Sequence, residues 1–368
     1  MLPRSGIGHG STQKIHQEGT AANKSNDSSQ WGTLSVATCN TLNLALAERQ
    51  FYANQEPYSH AEYQRKIEWL GMQVARLNAD VLAVQEIWDE AALRDVVAKS
   101  RLRYGLIAAP GSEQGADGTP CVGLVTRLRV EELVAIADFP AGMNVAVPEL
   151  GEQTRFERPI LRARLSTRQG QVLHVVVAHL KSKRPKFLQD DQGNPLEDRD
   201  DPRIVARATL RSLVRRAAEA AALRAIVVDI LKNTHEPLVL MGDLNDGPHA
   251  VTTQMVAATC EVAFNREARD TALFNAYDIQ TGRMLLRDVA YSHIYQGFAE
   301  VLDQIFVSEE FVSDSRFALG DVRRVDYFND HLNEGRDRVR SDHGLVRALL
   351  RLRMPAKEGE DRRHPAKQ

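Results

Sequence analysis

Between residues 31 and 353 the chain alternates short apolar runs with clusters of turn-forming and charged residues. Eight runs have the β-branched and aliphatic content of strands: TLSVATCN, DVLAVQE, CVGLVTR, PILRARLS, QVLHVVVAHL, PLVLMGD, AEVLDQIFVS and HGLVRALLRL. Leu238, Val239, Leu240 and Met241 form an unbroken apolar stretch between turn formers, the pattern of a short strand buried on both faces. Two segments shift to the helical period. Residues 60–77 place Ile67, Leu70 and Val74 at helical spacing directly before ADVLAVQE. Residues 203–232 predict a longer helix, with Leu210, Leu213, Val214 and Ala217 inward and a solvated arginine face of Arg207, Arg211 and Arg215. Alternating strands and helices predict an α/β fold.

The ends of the chain lack this patterning. Residues 1–30 are rich in Gly, Ser, Gln and Asn and predict a disordered leader; residues 354–368 predict a flexible charged tail. The glycine-rich GIGHG in the leader follows no strand and opens no helix, so it is no phosphate cradle. Residues 183–203 are charged and aperiodic. They lack the order of a calcium-binding EF-hand loop and read as a solvated insertion.

Composition narrows the class. With 368 residues, 43% hydrophobic and 26% charged, the chain is an ordinary globular protein, and a net charge of −2 argues against a broadly basic nucleic-acid-binding surface. The cysteines Cys39, Cys121 and Cys260 are scattered and read as reduced, buried small hydrophobes. No signal-peptide or membrane-spanning stretch is seen, so a cytoplasmic location without membrane association is expected.

The candidate chemistry sits at strand ends, where layered α/β folds place their ligands. ATCN ends in Asn40, VLAVQE in Gln85 and Glu86, and VVVAHLKSKRP delivers His179 and Lys181. VLMGDLND supplies Asp243 and Asn245, EVLDQIFVS carries Asp303, and RSDHGLV presents Asp342 and His343. Each residue alone has an ordinary structural explanation, such as a turn, a cap or a core histidine. Together, carboxylate and amide oxygens without a cysteine suit a hard, hydrated cation such as Mg²⁺, and hence a phosphate ester substrate.

In this order Asn40, QE at 85–86, HLKS at 179–182, GDLN at 242–245, LDQIFVS at 302–308 and SDH at 341–343 resemble the endonuclease/exonuclease/phosphatase superfamily, in its deoxyribonuclease-I-like form. The resemblance covers residues 31–353. It implies a four-layer α/β sandwich of two packed mixed β-sheets flanked by helices. It also implies that Glu86 is the principal metal ligand, with Asn40 and Asp342 close to the ion, which is Mg²⁺ with Mn²⁺ or Ca²⁺ as alternatives. Asp243 and Asn245 would position the attacking water and a phosphate oxygen. His343, held by Asp303, would contact the phosphoryl group. Arg158 in RFERPIL and Lys181 would bind substrate phosphate. One position departs from some branches, which carry an acid two residues after the asparagine; here it is Leu42.

The expected activity is metal-dependent phosphodiester hydrolysis by in-line attack of water. Nucleic acid is the first-choice substrate, on the strength of Lys181, Lys183, Arg184 and Lys186 in HLKSKRPK. The alternatives are a phosphatase or phosphodiesterase acting on a small molecule or lipid headgroup, and a non-catalytic binding module. His179 is expected to protonate the departing oxygen, with His343 in reserve; the general base and the oligomeric state stay open.

Overall fold

The computed structural model describes residues 31–52, 54–112, 119–258, 262, 265–281 and 289–354; the expected leader, Cys260 and the tail beyond Met354 lie outside them. Its strands are β1 (Trp31–Leu44), β2 (Val81–Ile87), β3 (Leu106–Ala108), β4 (Cys121–Thr126), β5 (Arg129–Asp138), β6 (Val145–Val147), β7 (Gly151–Gln153), β8 (Arg155–Ser166), β9 (Val172–His179), β10 (Leu238–Asp243), β11 (Phe274–Asn275), β12 (His293–Tyr295), β13 (Phe298–Glu300), β14 (Asp303–Val307), β15 (Gly320–Phe328) and β16 (Leu345–Arg353). The helices that matter here are α1 (His60–Leu77), α2 (Glu90–Ser100), α3 (Pro202–Leu231) and α4 (Val251–Ala257).

Two six-stranded mixed sheets face each other, in the orders β15-β16-β1-β2-β4-β3 and β11-β14-β10-β9-β8-β5. Val36, Val81, Val175, Val177 and Met241 fill the space between the sheets. The alternate positions on the same strands point outward to helices: Ala37, Leu82 and Val84 pack with α1 and α2, and Val176, Ala178 and Leu240 pack with α3 and α4. This is the expected four-layer sandwich. It explains the unbroken apolar runs, because β2, β9 and β10 are covered on both faces.

Local chemistry defines α1 before packing does. Ser59 and Glu62 form a capping box at its start, Asn78 closes it in the left-handed region, and Ile67, Leu70 and Val74 are buried as the periodicity requires.

The face expected for α3 is different in the structure. Leu210 and Leu213 are exposed, whereas Arg211 is buried. Arg211 bonds Glu149 and Glu197, the latter at 2.7 Å, and donates to the Lys186 carbonyl. The first turns of α3 pack against the polar 183–197 loop rather than a sheet, so charge partners replace apolar contact there. Glu197 shows that this insertion is docked onto the helix, not wholly solvated.

The strong apolar signal also missed β5 and β15. Both are sheet edges, where charged side chains replace one apolar face. Glu132 of β5 pairs with Arg162, and Asp326 of β15 with Arg347. Cys39 and Cys121 are free and buried. No helix among the described residues is long and apolar enough to cross a membrane.

Candidate active site

Three adjacent strands of the second sheet end in one row. Asp243 of β10 is in register with His179 of β9 on one side and Asp303 of β14 on the other, so the three side chains stand together on one face. Gly242 permits the close approach: its φ is +147°, and a Cβ there would lie 1.9 Å from the Ala178 carbonyl oxygen. His343 covers the row. Its Nδ1 is 2.7 Å from Asp303 Oδ2, and its Nε2 is 3.9 Å from Asp243 Oδ2. His179 Nε2 is 3.4 Å from that same Asp243 oxygen.

The first sheet contributes the other half. β1 and β2 keep parallel register through Asn40 and Gln85, lose it, and regain it at Leu44 and Ile87. Within the break Leu42, Asn43 and Glu86 adopt φ of 51°, 54° and 63°, conformations that cost non-glycine residues roughly 1–3 kcal/mol each and cluster at functional sites. The distortion turns Glu86 back toward β1, where its carboxylate accepts from the Asn43 N–H at 2.9 Å and from Asn40 Nδ2 at 3.2 Å. Asn40 Nδ2 also donates to Asp243 at 3.1 Å, joining the two sheets. Ser341 completes the link: its hydroxyl donates to the Asn40 carbonyl at 2.6 Å and accepts from the His343 N–H at 3.0 Å.

Electrostatics divide the site. Burial, with Asp342 nearby, raises the Glu86 carboxyl above its ordinary value; a cation beside the two acids would relieve it. Burial likewise raises Asp243, with Asp303 adding to it and His343 opposing. Burial opposes charge on His343, but Asp303 and Asp243 outweigh it and hold the ring well above the usual imidazole value. His179 goes the other way: burial, then Arg158, His343 and Lys181, hold it well below, so it is uncharged near neutrality.

Glu86 and Asp342 offer carboxylate oxygens that suit a hard divalent cation, with Asn40 beside them, its amide oxygen accepting the Leu42 N–H at 3.1 Å. Asp243, Asp303 and His343 also bring ligand atoms within 4.8 Å of one another. That cluster is less suited to an ion, because Asp303 and His343 Nδ1 already occupy each other.

Arg158 of β8 is 8% exposed, and its Nε and Nη1 have no hydrogen-bond partner. Glu157, Glu86 and Tyr52 outweigh its burial and keep it charged, as a phosphate-binding group requires. Lys181 is placed differently from expectation. It is buried, its ammonium donates to Ser182, and burial lowers it to about 8. Lys183 pairs with Glu300 at 2.6 Å. Within HLKSKRPK Lys181 is thus internal and Lys183 paired while Arg184 is exposed, and among the described residues Arg158 is a buried cation whose Nε and Nη1 lack partners.

Asn245, at φ 55°, donates its N–H to Asp243 at 2.8 Å and its side-chain amide to the Leu180 carbonyl at 2.9 Å. Two buried residues of α3, one turn apart, hold these loops. Glu219 accepts the N–H groups of Lys181 at 2.7 Å and Glu157 at 2.8 Å, and Arg216 pairs with Asp246 at 2.9 Å. A third support is Lys66 of α1, fully buried, which donates to the Leu42 carbonyl at 2.7 Å. Sequence reasoning found none of these three. An Arg and a Glu three residues apart on a helix look like a surface pair, and only the loops folded over them show otherwise.

A two-sheet sandwich with acids and imidazoles meeting at one end of both sheets defines a hydrolase of phosphoric esters. The chain belongs to the Endonuclease/Exonuclease/phosphatase family, whose model matches residues 62–343. Among solved structures it is similar to a humanized D. rerio TDP2 carrying 14 mutations, at 16% identity and a TM-score of 0.51, covering 86% of this chain and 98% of that one. It is similar to the endonuclease/exonuclease/phosphatase from Bacteroides vulgatus at 14% identity and a TM-score of 0.51, covering 87% and 99%. The human Nocturnin catalytic domain with bound sulfate gives 16% identity and a TM-score of 0.50, covering 86% and 94%. These identities establish a shared fold. No curated protein sequence matches the chain.

Proposed function

We propose that this chain is a metal-dependent nuclease that hydrolyses phosphodiesters by in-line attack of water. The observation that carries the reading is the Asp303–His343–Asp243 arrangement at 2.7 and 3.9 Å, set across the Asn40 bridge from Glu86. Glu86 and Asp342, with Asn40 close by, would hold Mg²⁺, which would supply positive charge to offset the charge developing in phosphoryl transfer.

Asp243 orients the attacking water and takes its proton, a task suited to a carboxylate whose burial makes it more basic. His343, kept cationic by Asp303, donates Nε2–H to a non-bridging phosphoryl oxygen. Arg158 supplies a second cationic grip. In-line displacement puts the departing oxygen opposite the water, on the side of Glu86 and Asp342, where it takes its proton from solvent. His179 lies on the Asp243 side and is uncharged, so the acid role expected from sequence gives way to one of orienting Asp243.

Purified protein with Mg²⁺ is incubated with circular DNA, linear DNA, RNA and phosphomonoesters. Cleavage of at least one nucleic acid is expected; turnover of phosphomonoesters alone would establish a phosphatase instead.

A further inference from the structure

A cavity of about 300 Å³ opens beside the acidic pair, with Asp342 in its wall. Leu42, Ile294, Leu332, His293 and His331 also line it. Both imidazoles are anchored. The His293 ring packs against His343 with centroids 4.9 Å apart, and His331 sits edge-on to Trp69 at 4.9 Å while its Nε2 meets the His343 carbonyl at 2.9 Å. Three arginines contribute to the lining. Arg338 pairs with Glu62 at 3.0 Å and Arg340 with Glu334, whereas Arg336 is exposed and has no ion-pair partner among the described residues.

The lining therefore offers aliphatic contact and two anchored imidazoles, with one exposed guanidinium that has no ion-pair partner among the described residues. A nucleobase stacks on aromatic faces whatever its identity, and arginine meets phosphate. The volume is at the small end of ligand sites, enough for one nucleoside and too little for a base pair. We propose that this cavity receives the single unstacked nucleoside attached to the departing oxygen, with Arg336 on the next phosphate along the strand. The inference rests on the nuclease reading and extends it to a substrate form, because a base seated there has left the duplex stack.

The test uses the full chain with Mg²⁺ and compares Leu332→Trp, which fills the cavity, and Arg336→Ala with the parent protein. The substrates are a single-stranded oligonucleotide, the same sequence as duplex, and methyl p-nitrophenyl phosphate, which is too small to need the cavity. The parent should favour the single strand over the duplex by about tenfold or more in kcat/KM. Leu332→Trp should raise KM for the strand about tenfold, as loss of one stacked base implies, and leave the small diester unchanged. Arg336→Ala should raise KM and reduce the salt dependence by about one phosphate contact. Unchanged KM on the strand in both variants would overturn the proposal, as would equal loss on strand and small diester. A parent protein that hydrolyses the small diester but no nucleic acid would overturn the nuclease reading, and this inference with it.

Discussion

Asp303, fully buried, holds His343 through a 2.7 Å hydrogen bond from Nδ1. An orienting carboxylate acts chiefly through the ring it fixes. Asp303→Ala alone should therefore cost about 10²-fold in kcat or more, while adding it to His343→Ala should cost little further. A double-mutant cycle on one diester substrate reads this directly, and additive losses would separate the two residues.

Glu86→Gln keeps the shape and removes the charge. Activity at saturating Mg²⁺ should fall to a small residue of the parent's. In metal-free buffer the variant loses a carboxylate disfavoured by burial and by Asp342 but sets its amide nitrogen against the Asn43 N–H or Asn40 Nδ2, and it should be no more stable than the parent. Urea denaturation with and without Mg²⁺ checks both halves: the ion should stabilise the parent more than the variant. Near-parental turnover in the variant would sink the ligand assignment.

His179 and leaving-group chemistry give a sharp contrast. Loss of a general acid costs on the order of 10²–10⁴ when the departing group needs a proton and little when it is a nitrophenolate. Because His179 is uncharged and 3.4 Å from Asp243, His179→Ala should lose rate to a similar degree on a natural diester and a nitrophenyl diester. Near-normal turnover of the nitrophenyl substrate alone would restore the acid role.

Glu219 makes stability depend on pH. Burial raises its carboxyl from 4.5 to about 7, against the bonds from Glu157 and Lys181 that favour the anion. Between these values the folded chain keeps a proton that the unfolded chain has released, so this residue's contribution falls as pH rises from 4.5 to 7 and is constant outside that window. At 1.36 kcal/mol per pH unit the change is about 3 kcal/mol. Measured as the difference from Glu219→Gln, which cannot ionise, parent stability should decline over that range. A flat difference would show that Glu219 does not titrate there.

The strand ends were legible because the sheet fixes them: β9, β10 and β14 lie side by side, and their last or first residues had to meet. The layered architecture was legible for a related reason, since runs such as VLAVQE and PLVLMGD only make sense if covered twice. What escaped was set by contacts between segments distant in sequence. Arg211 and Glu219 read as ordinary helical charges until Glu197, Glu149, Glu157 and Lys181 fold over them. Lys181 looked like an outward base because its neighbours in HLKSKRPK are charged, yet its backbone is drawn in by Glu219 and its side chain follows. Ser341 lay inside a recognised motif, but its role depends on the Asn40 carbonyl, as the placement of His293 depends on its bridge to His343.

The pairing of β1 with β16 puts Trp31 opposite Arg353 on neighbouring strands. Asn40 lies nine residues further along β1 than Trp31, about 30 Å at the usual rise of a strand. A reporter domain or surface tether joined near Trp31 or Met354 would thus hang from the pole opposite the candidate active site and leave it uncovered. The same adjacency makes the chain a candidate for circular permutation, with a short linker across that edge and new ends cut in an exposed loop.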